Sequence, residues 1–217
     1  MPVPAPSPDA RAVVTGASQN IGEALATELA ARGHHLIITA RRGDVLAEVA
    51  QRITDKYGVT VEVRACDLTD PADRDKLCAE LAERNISILC ANAGTATFGA
   101  VADLPAEGEK AQVQLNVQGV HDLVLAVLPG MIARKGGGIL ISGSAAGNSP
   151  IPNNATYAAS KAFANTFSES LRGELKPHGI NVTLLAPGPV RTELPDPSEQ
   201  SLVERLIPDF LWIDTEY

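Results

Sequence analysis

The chain has 217 residues, of which 45% are hydrophobic, 20% charged and 4% aromatic, and its formal net charge is -8. That balance excludes disorder over most of the chain. Few aromatic rings and a net negative charge count against binding to nucleic acid.

The opening Met1-Pro2-Val3-Pro4-Ala5-Pro6-Ser7-Pro8 alternates proline, which forbids helix and favours extended backbone. Residues 1–10 are expected to be a disordered tail, with a domain from 11 to 217. The tail has neither a basic start nor an apolar run, so it is no signal peptide. No apolar stretch in the sequence approaches a membrane span, and no membrane partner is expected. Cys66, Cys78 and Cys90 form no CxxC pair, and His34, His35, His121 and His178 no HExxH spacing. Neither a disulfide framework, a zinc site nor another metal site is expected, and a reducing cytoplasm is the default compartment.

Beyond the tail, apolar periodicity switches regularly between two and 3.6 residues. Ala12-Val13-Val14 predicts a first strand, and 21–32 an amphipathic helix closed by Gly33. Leu36-Ile37-Ile38-Thr39 reads as strand two. Residues 44–57 read as a helix, with Asp44 at its N-cap and Gly58 as its stop. Strand three is 60–65, and a helix over 71–84 has Asp70 as N-cap and Pro71 in its first turn. Strand four is 86–91. A long helix spans 107–135 and ends at Gly136-Gly137-Gly138, strand five is 138–142, a helix covers 155–176, and strand six is 180–186. The fold class is α/β: a Rossmann-type, doubly wound parallel sheet with helices on both faces.

Strand one runs into Thr15-Gly16-Ala17-Ser18-Gln19-Asn20-Ile21-Gly22 and then a helix. A glycine turn in that place lets backbone N–H groups approach a pyrophosphate, and the helix dipole favours the anion. Enzymes that prefer NAD place an acid at the tip of strand two to bond the ribose 2′-hydroxyl. Here the tip reads Thr39-Ala40-Arg41-Arg42, and an arginine suits a 2′-phosphate. NADP(H) is therefore expected over NAD(H).

Tyr157 and Lys161 stand four apart on one helix and share a face. A cation beside a phenol favours the phenolate, which suits the phenol to proton exchange with a carbonyl or alcohol. Strand four ends in Asn92-Ala93-Gly94, strand five in Ser142-Gly143-Ser144 and strand six before Pro187-Gly188-Pro189-Val190-Arg191-Thr192. All three ends lie on the edge where an open α/β sheet binds ligands. Asn116 interrupts the apolar face of the long helix and needs an internal partner.

These motifs, in this order from about Arg11 to Thr192, resemble the compact one-domain branch of the short-chain dehydrogenase/reductase superfamily. The wording of 147–156 resembles its actinobacterial members. The resemblance implies hydride transfer between NADP(H) and a small-molecule carbonyl or alcohol substrate, with steroid, fatty-acyl, quinone and small ketone substrates all open. It makes Tyr157 the general acid/base and has Lys161 tune it and bond the nicotinamide ribose. It has Ser144 orient the substrate oxygen, and Asn116 hold a relay water. Gly16, Ser18, Asn20, Ile21 and Gly22 would line the pyrophosphate and adenosine ribose, and Arg41 the 2′-phosphate. Asp67 and Leu68 would bracket the adenine, Asn92, Ala93 and Gly94 the ribose, and Pro187, Gly188, Val190 and Thr192 the carboxamide. Family members usually pair the two long helices across two-fold axes, which implies a homotetramer or homodimer.

Three departures stand out. Asn20 replaces a glycine, though Asn tolerates left-handed backbone. Ser142-Gly143-Ser144 replaces adjacent serines, and the thirteen-residue spacing to Tyr157 selects Ser144. Family members add a seventh strand that nothing after Tyr217 supplies, so the resemblance implies a missing natural C-terminus. The substrate cover, from Leu194 to Trp212, with Phe98 and Ile151, implies an apolar pocket. A non-catalytic NADP(H)-sensing module on the same fold is the alternative function, against which stand the retained Asn116, Ser144, Tyr157 and Lys161. A sugar-nucleotide epimerase would have glycine at position 19, where this chain has Gln19.

Overall fold

The computed structural model describes residues 3–188. Val190, Thr192 and the cover segment 194–212 lie outside the described residues. The β/α alternation folds as β1 (Arg11–Thr15), α1 (Asn20–Ala31), β2 (Leu36–Ala40), α2 (Gly43–Tyr57), β3 (Val61–Ala65), α3 (Pro71–Ala82) and β4 (Ile86–Ala91). There follow α4 (Ala106–Val113), a π-helical turn (Gln114–Gly119), α5 (Val120–Arg134), β5 (Gly137–Ser142), α6 (Ala155–Leu175) and β6 (Ile180–Leu185). The strands pair in parallel in the order β3-β2-β1-β4-β5-β6. The order reverses between β1 and β4, and at such a switch point the strand ends splay open a crevice.

Strand side chains alternate between the two faces. Ala12 and Val14 enter one core with Leu36, Ile38, Ala26, Leu46 and Val49, under α1 and α2. Val13 enters the other with Ile37, Leu89, Ile139, Leu123, Val127, Met131 and Leu171, under α3, α5 and α6. Both faces are covered at the centre of the sheet, so β1, β2 and β4 are apolar and buried nearly throughout, whereas edge strand β3 alternates and stays mostly half-buried. The Asp70 side chain accepts from the Asp73 N–H, as expected of the N-cap. At α2 the cap position falls on Arg42, and Asp44 sits in the first turn, two residues later than a cap.

Two expectations need correction. The long helix is not α-helical throughout, because Gln114–Gly119 forms a π turn. The wider turn brings Asn116 inward to the bonds described below, and an apolar repeat carries no sign of that shift in register. The continuous 29-residue run Ala106–Arg134 is also long and apolar enough to cross a membrane by length and composition. Its Val120, Leu123, Val124, Val127 and Met131 are buried in this fold, and Asp122 takes a 2.7 Å ion pair from buried Arg74. One face of the run thus packs into the core, while Val113 and Leu125 on the same run are exposed.

From Val3 the proline-rich segment, expected as disordered tail, has described contacts with the domain: a Cβ on Gly138 would lie 3.3 Å from Pro4 Cδ and one on Gly33 3.6 Å from Pro6 Cγ, and Ala10 is buried, its N–H donating to the Ser7 carbonyl at 3.1 Å. At the start of the strands, Glu62 takes Arg11 at 2.8 Å, Arg84 at 2.7 Å and Arg64 at 3.1 Å. Burial works to raise the Glu62 carboxyl, but the hydrogen bonds and charges of Arg84 and Arg11 outweigh it and hold it at about 2.

Candidate active site

The C-terminal ends of β1, β4 and β5 are laced together. The Thr15 hydroxyl accepts from the Asn92 N–H at 3.0 Å and the Ala93 N–H at 2.9 Å. The Asn92 amide donates to the Thr15 carbonyl at 3.1 Å and accepts from the Ser142 hydroxyl at 2.9 Å. Asn92, Ala93 and Gly94 thus form one wall against the first turn. A Cβ on Gly16 would lie 2.9 Å from Ala93 Cα, and one on Gly22 would lie 2.0 Å from the Gly16 carbonyl oxygen. Neither position has room for a side chain, so the backbone of the turn stays open. Asn20 adopts φ +53°, the left-handed conformation that glycine more often supplies and Asn tolerates. Gln19, at the N-cap of α1, makes no side-chain cap bond, so among the described residues its side chain leaves the first-turn N–H groups uncapped. Ser18 and Ile21 are half-buried beside them.

The two arginines after β2 behave differently. Arg41 is exposed and has no side-chain partner among the described residues. The guanidinium of Arg42 reaches back over the turn and donates to Gln19 Oε1 at 2.6 Å and Ser18 Oγ at 3.5 Å. The sequence reading named Arg41 for the phosphate; the structure brings Arg42 to the turn. Asp67 folds onto itself, its carboxylate accepting from the Thr69 N–H at 2.9 Å and the Thr69 hydroxyl at 2.7 Å. The Leu68 side chain belongs to the core, so any part it plays beside an adenine falls to its backbone.

Tyr157 and Lys161 face one another one turn apart on α6, with the Lys161 ammonium 5.7 Å from the phenol ring centroid. Lys161 is 7% exposed and donates to the Ser142 carbonyl at 2.8 Å. Burial pushes its ammonium down to about 8, close to neutral pH. A Cβ on Gly94 would lie 3.4 Å from both Lys161 Nζ and Asn116 Oδ1, so those groups converge on the end of β4. Buried Asn116 accepts from the Thr95 N–H at 3.0 Å. It donates to the Thr95 carbonyl at 2.8 Å and to the Ser160 hydroxyl at 3.0 Å. The Ser160 hydroxyl in turn donates to the Tyr157 carbonyl at 2.8 Å. Ser144 Oγ accepts from the Ala146 N–H at 3.1 Å, which leaves its own proton free to donate. The Pro187 carbonyl accepts from the Ala145 N–H at 3.0 Å and ties the end of β6 to this loop, and no atom of the described residues lies within 4 Å of a Cβ built on Gly188.

Sequence reasoning passed over Glu109, whose carboxylate accepts from the hydroxyls of Thr97 and Thr156. Those bonds hold the Glu109 carboxyl below its usual range, the Thr156 bond first. They pin the loop after β4 to the residue before Tyr157. It also passed over Thr15 and Asn165. Asn165 stands four residues beyond Lys161, a spacing that puts it on the same face of α6.

A buried ammonium, a phenol one helical turn away and a free hydroxyl proton at the strand ends can together exchange a proton with a carbonyl or alcohol oxygen. The chain matches the family described as short chain dehydrogenase over residues 10–202. It is 37% identical over 188 residues to a very-long-chain 3-oxoacyl-CoA reductase of Bos taurus, covering 84% of this chain and 60% of that one. It spans between 52% and 64% of the length of the first such reductases it matches. An uncharacterized oxidoreductase of Staphylococcus saprophyticus is 33% identical over 202 residues, covering 92% of this chain and 86% of the relative. Among solved structures, the short-chain dehydrogenase from Sphingobium yanoikuyae in complex with NADPH matches with a TM-score of 0.82 and 38% identity, over 84% of this chain and 72% of that one. The bulky-bulky ketone specific alcohol dehydrogenase from Comamonas testosteroni matches with a TM-score of 0.83 and 31% identity, over 94% and 77%.

Proposed function

The chain belongs to the short-chain dehydrogenase/reductase family, and from that membership we propose that it is an NADP(H)-dependent oxidoreductase in which Tyr157 exchanges the proton with a carbonyl or alcohol substrate. The observation that carries the reading is the buried Lys161 ammonium beside the Tyr157 ring, at the edge where β4 and β5 end.

The first turn fits a dinucleotide, because two glycines without room for a Cβ leave the backbone bare at a helix start with no side-chain cap. Gly16, Ser18, Asn20, Ile21 and Gly22 would hold its pyrophosphate and adenosine ribose. Arg41 and Arg42 would meet the 2′-phosphate. Asp67 and the Leu68 backbone would hold the adenine. Asn92, Ala93, Gly94 and Lys161 would hold the nicotinamide ribose, and Pro187, Gly188, Val190 and Thr192 the carboxamide. When bound, NADPH supplies the hydride.

The protein's own part is to hold the carbonyl and move a proton. Tyr157 gives its hydroxyl proton to the substrate oxygen. Ser144 donates its free proton to the same oxygen and stabilises the charge that develops there. One Lys161 N–H is taken by the Ser142 carbonyl, and the ammonium stabilises the charge left on Tyr157. Asn116 holds the turn beside Lys161 and a relay water that returns a proton from solvent.

We take the substrate to be a bulky apolar ketone or a 3-oxoacyl group, from the names of the relatives and from Phe98 and Val101. Both side chains stand exposed on the loop after β4. A homodimer or homotetramer is part of the proposal. Val113, Val117, His121 and Leu125 form an i,i+4 stripe along the long helix, and Val113 and Leu125 are 43% and 52% exposed. His121 leans on Phe163 and Phe167 of α6, which extends the apolar face across both helices. The three unpaired cysteines support a cytoplasmic setting.

NADPH oxidation is to be followed against a panel of aliphatic and aromatic ketones, with NADPH binding measured in parallel by fluorescence. Steady turnover of at least one apolar ketone is expected. NADPH binding without turnover of any carbonyl would replace this reading with that of a cofactor sensor.

A further inference from the structure

The replacement of a serine by Gly143 has no place in the chemistry above, yet the packing around it is specific. A Cβ on Gly143 would lie 2.0 Å from Asn165 Oδ1. Gly143 does not have a left-handed φ, so space alone bars a side chain there. The space is taken because the Asn165 amide grips the next residue. Its Oδ1 accepts from the Ser144 N–H at 3.3 Å, and its Nδ2 donates to the Ser144 carbonyl at 2.9 Å. Ser144 is extended, with φ -166° and ψ 152°. Its N–H and C=O therefore point the same way, and one carboxamide pairs with both as a neighbouring strand residue would. Nδ2 donates further to Asn148 Oδ1 at 3.1 Å. A Cβ on Gly147 would lie 2.7 Å from the same nitrogen and 2.5 Å from the Lys161 carbonyl carbon. The loop 143–148 is thus wrapped on Asn165, which is 8% exposed.

We propose that Asn165 is the positioning residue for Ser144, and that Gly143 and Asn165 form a matched pair in which the glycine makes room for the amide that aims the serine. This rests on the reading of Ser144 as the residue that meets the substrate oxygen. Asn165 touches neither substrate nor cofactor in that reading. It acts through Ser144, whose hydroxyl direction follows from a backbone held at both N–H and C=O. Asn165 also rides on the helix that carries Tyr157 and Lys161. The clamp therefore sets the distance between the loop that offers one proton and the helix that offers the other. Misplacement by about 1 Å at such a pair costs on the order of 100-fold in rate.

The test is a double-mutant cycle on Gly143→Ala and Asn165→Ala, with Asn165→Leu as a variant that keeps volume and removes the amide. Melting temperature, NADPH affinity by fluorescence, and kcat with NADPH and 9,10-phenanthrenequinone as the carbonyl probe are measured for each. Gly143→Ala is expected to lower the melting temperature in the native background and to cost far less once Asn165 is alanine. The remaining obstacle to the new methyl, Leu184 Cδ1 at 2.7 Å, is the end of a side chain that can rotate. Asn165→Leu is expected to lose about 10- to 100-fold in kcat with NADPH affinity unchanged, the mark of a misaimed group rather than a damaged cofactor site. Additive melting shifts would remove the matched pair. An Asn165→Leu enzyme with native kcat would show the amide to be filler and overturn the proposal. Failure of the native protein to reduce the probe would count against the proposed activity alone, because the melting cycle reads the Gly143–Asn165 contact without turnover.

Discussion

Asn116→Ala is the sharpest probe of how the long helix serves the site. The side chain is 2% exposed and makes three hydrogen bonds, two to the Thr95 backbone and one to Ser160. At about 1 kcal/mol net for each bond, their loss costs about 3 kcal/mol. Thr95 is exposed, so water can reach its backbone groups after the change, which brings the figure toward about 2 kcal/mol. For a chain of this size each kcal/mol moves the melting temperature by about 2–4 °C, so a drop of about 4–12 °C is expected. The rate should fall as well, because Asn116 holds Ser160, which holds the carbonyl of Tyr157. Calorimetry and NADPH oxidation on the same preparations measure both. A melting temperature within about 1 °C of the native value would mean that the bonds at the π turn contribute nothing net, and would refute the argument.

Arg42→Ala and Arg41→Ala should each weaken NADPH while leaving NADH nearly unchanged. The loss expected for a charged phosphate contact is about 1.5–3 kcal/mol, or about 10- to 150-fold in Kd, and equal losses for both cofactors would contradict the assignment. Glu62 is held at about 2, below its ordinary value of 4.5. Its contribution to stability is therefore present above about pH 4.5 and lost as pH falls toward 2. Urea unfolding of the native protein and Glu62→Gln should differ at pH 7 and converge below pH 3, whereas a gap that widens in acid would reverse the sign. Light scattering should give a multiple of the chain mass at micromolar concentration, and charged Leu125→Glu should shift it toward monomer. A native monomer would leave the exposed stripe without a partner.

The six strands and most of the helices between them were legible because the central strands β1, β2 and β4 are buried on both faces and read as apolar runs, while edge strand β3 shows instead as the alternation Val61-Glu62-Val63-Arg64-Ala65. The site was legible where backbone chemistry demands a residue type. Gly16 and Gly22 leave no room for a Cβ, and Lys161 follows Tyr157 by one turn. What stayed hidden depends on side-chain direction. Arg41 and Arg42 are adjacent in sequence, and only the turn into α2 decides that Arg42 swings over Ser18 and Gln19. The π turn left no mark in a periodic apolar pattern, so Asn116 could be found as a buried polar residue but its partners could not. Asn165 sat at a legible spacing, yet its role emerges only once Gly143 is seen against it.

The most direct measurement is NADPH oxidation by Tyr157→Phe beside its NADPH affinity. The variant keeps the ring that lies beside Lys161 and loses only the hydroxyl. The account predicts turnover reduced by about 100-fold or more, the scale of a lost general acid, with NADPH bound as in the native protein. A Tyr157→Phe protein that retains most of its kcat would place the proton donor elsewhere and contradict the central claim.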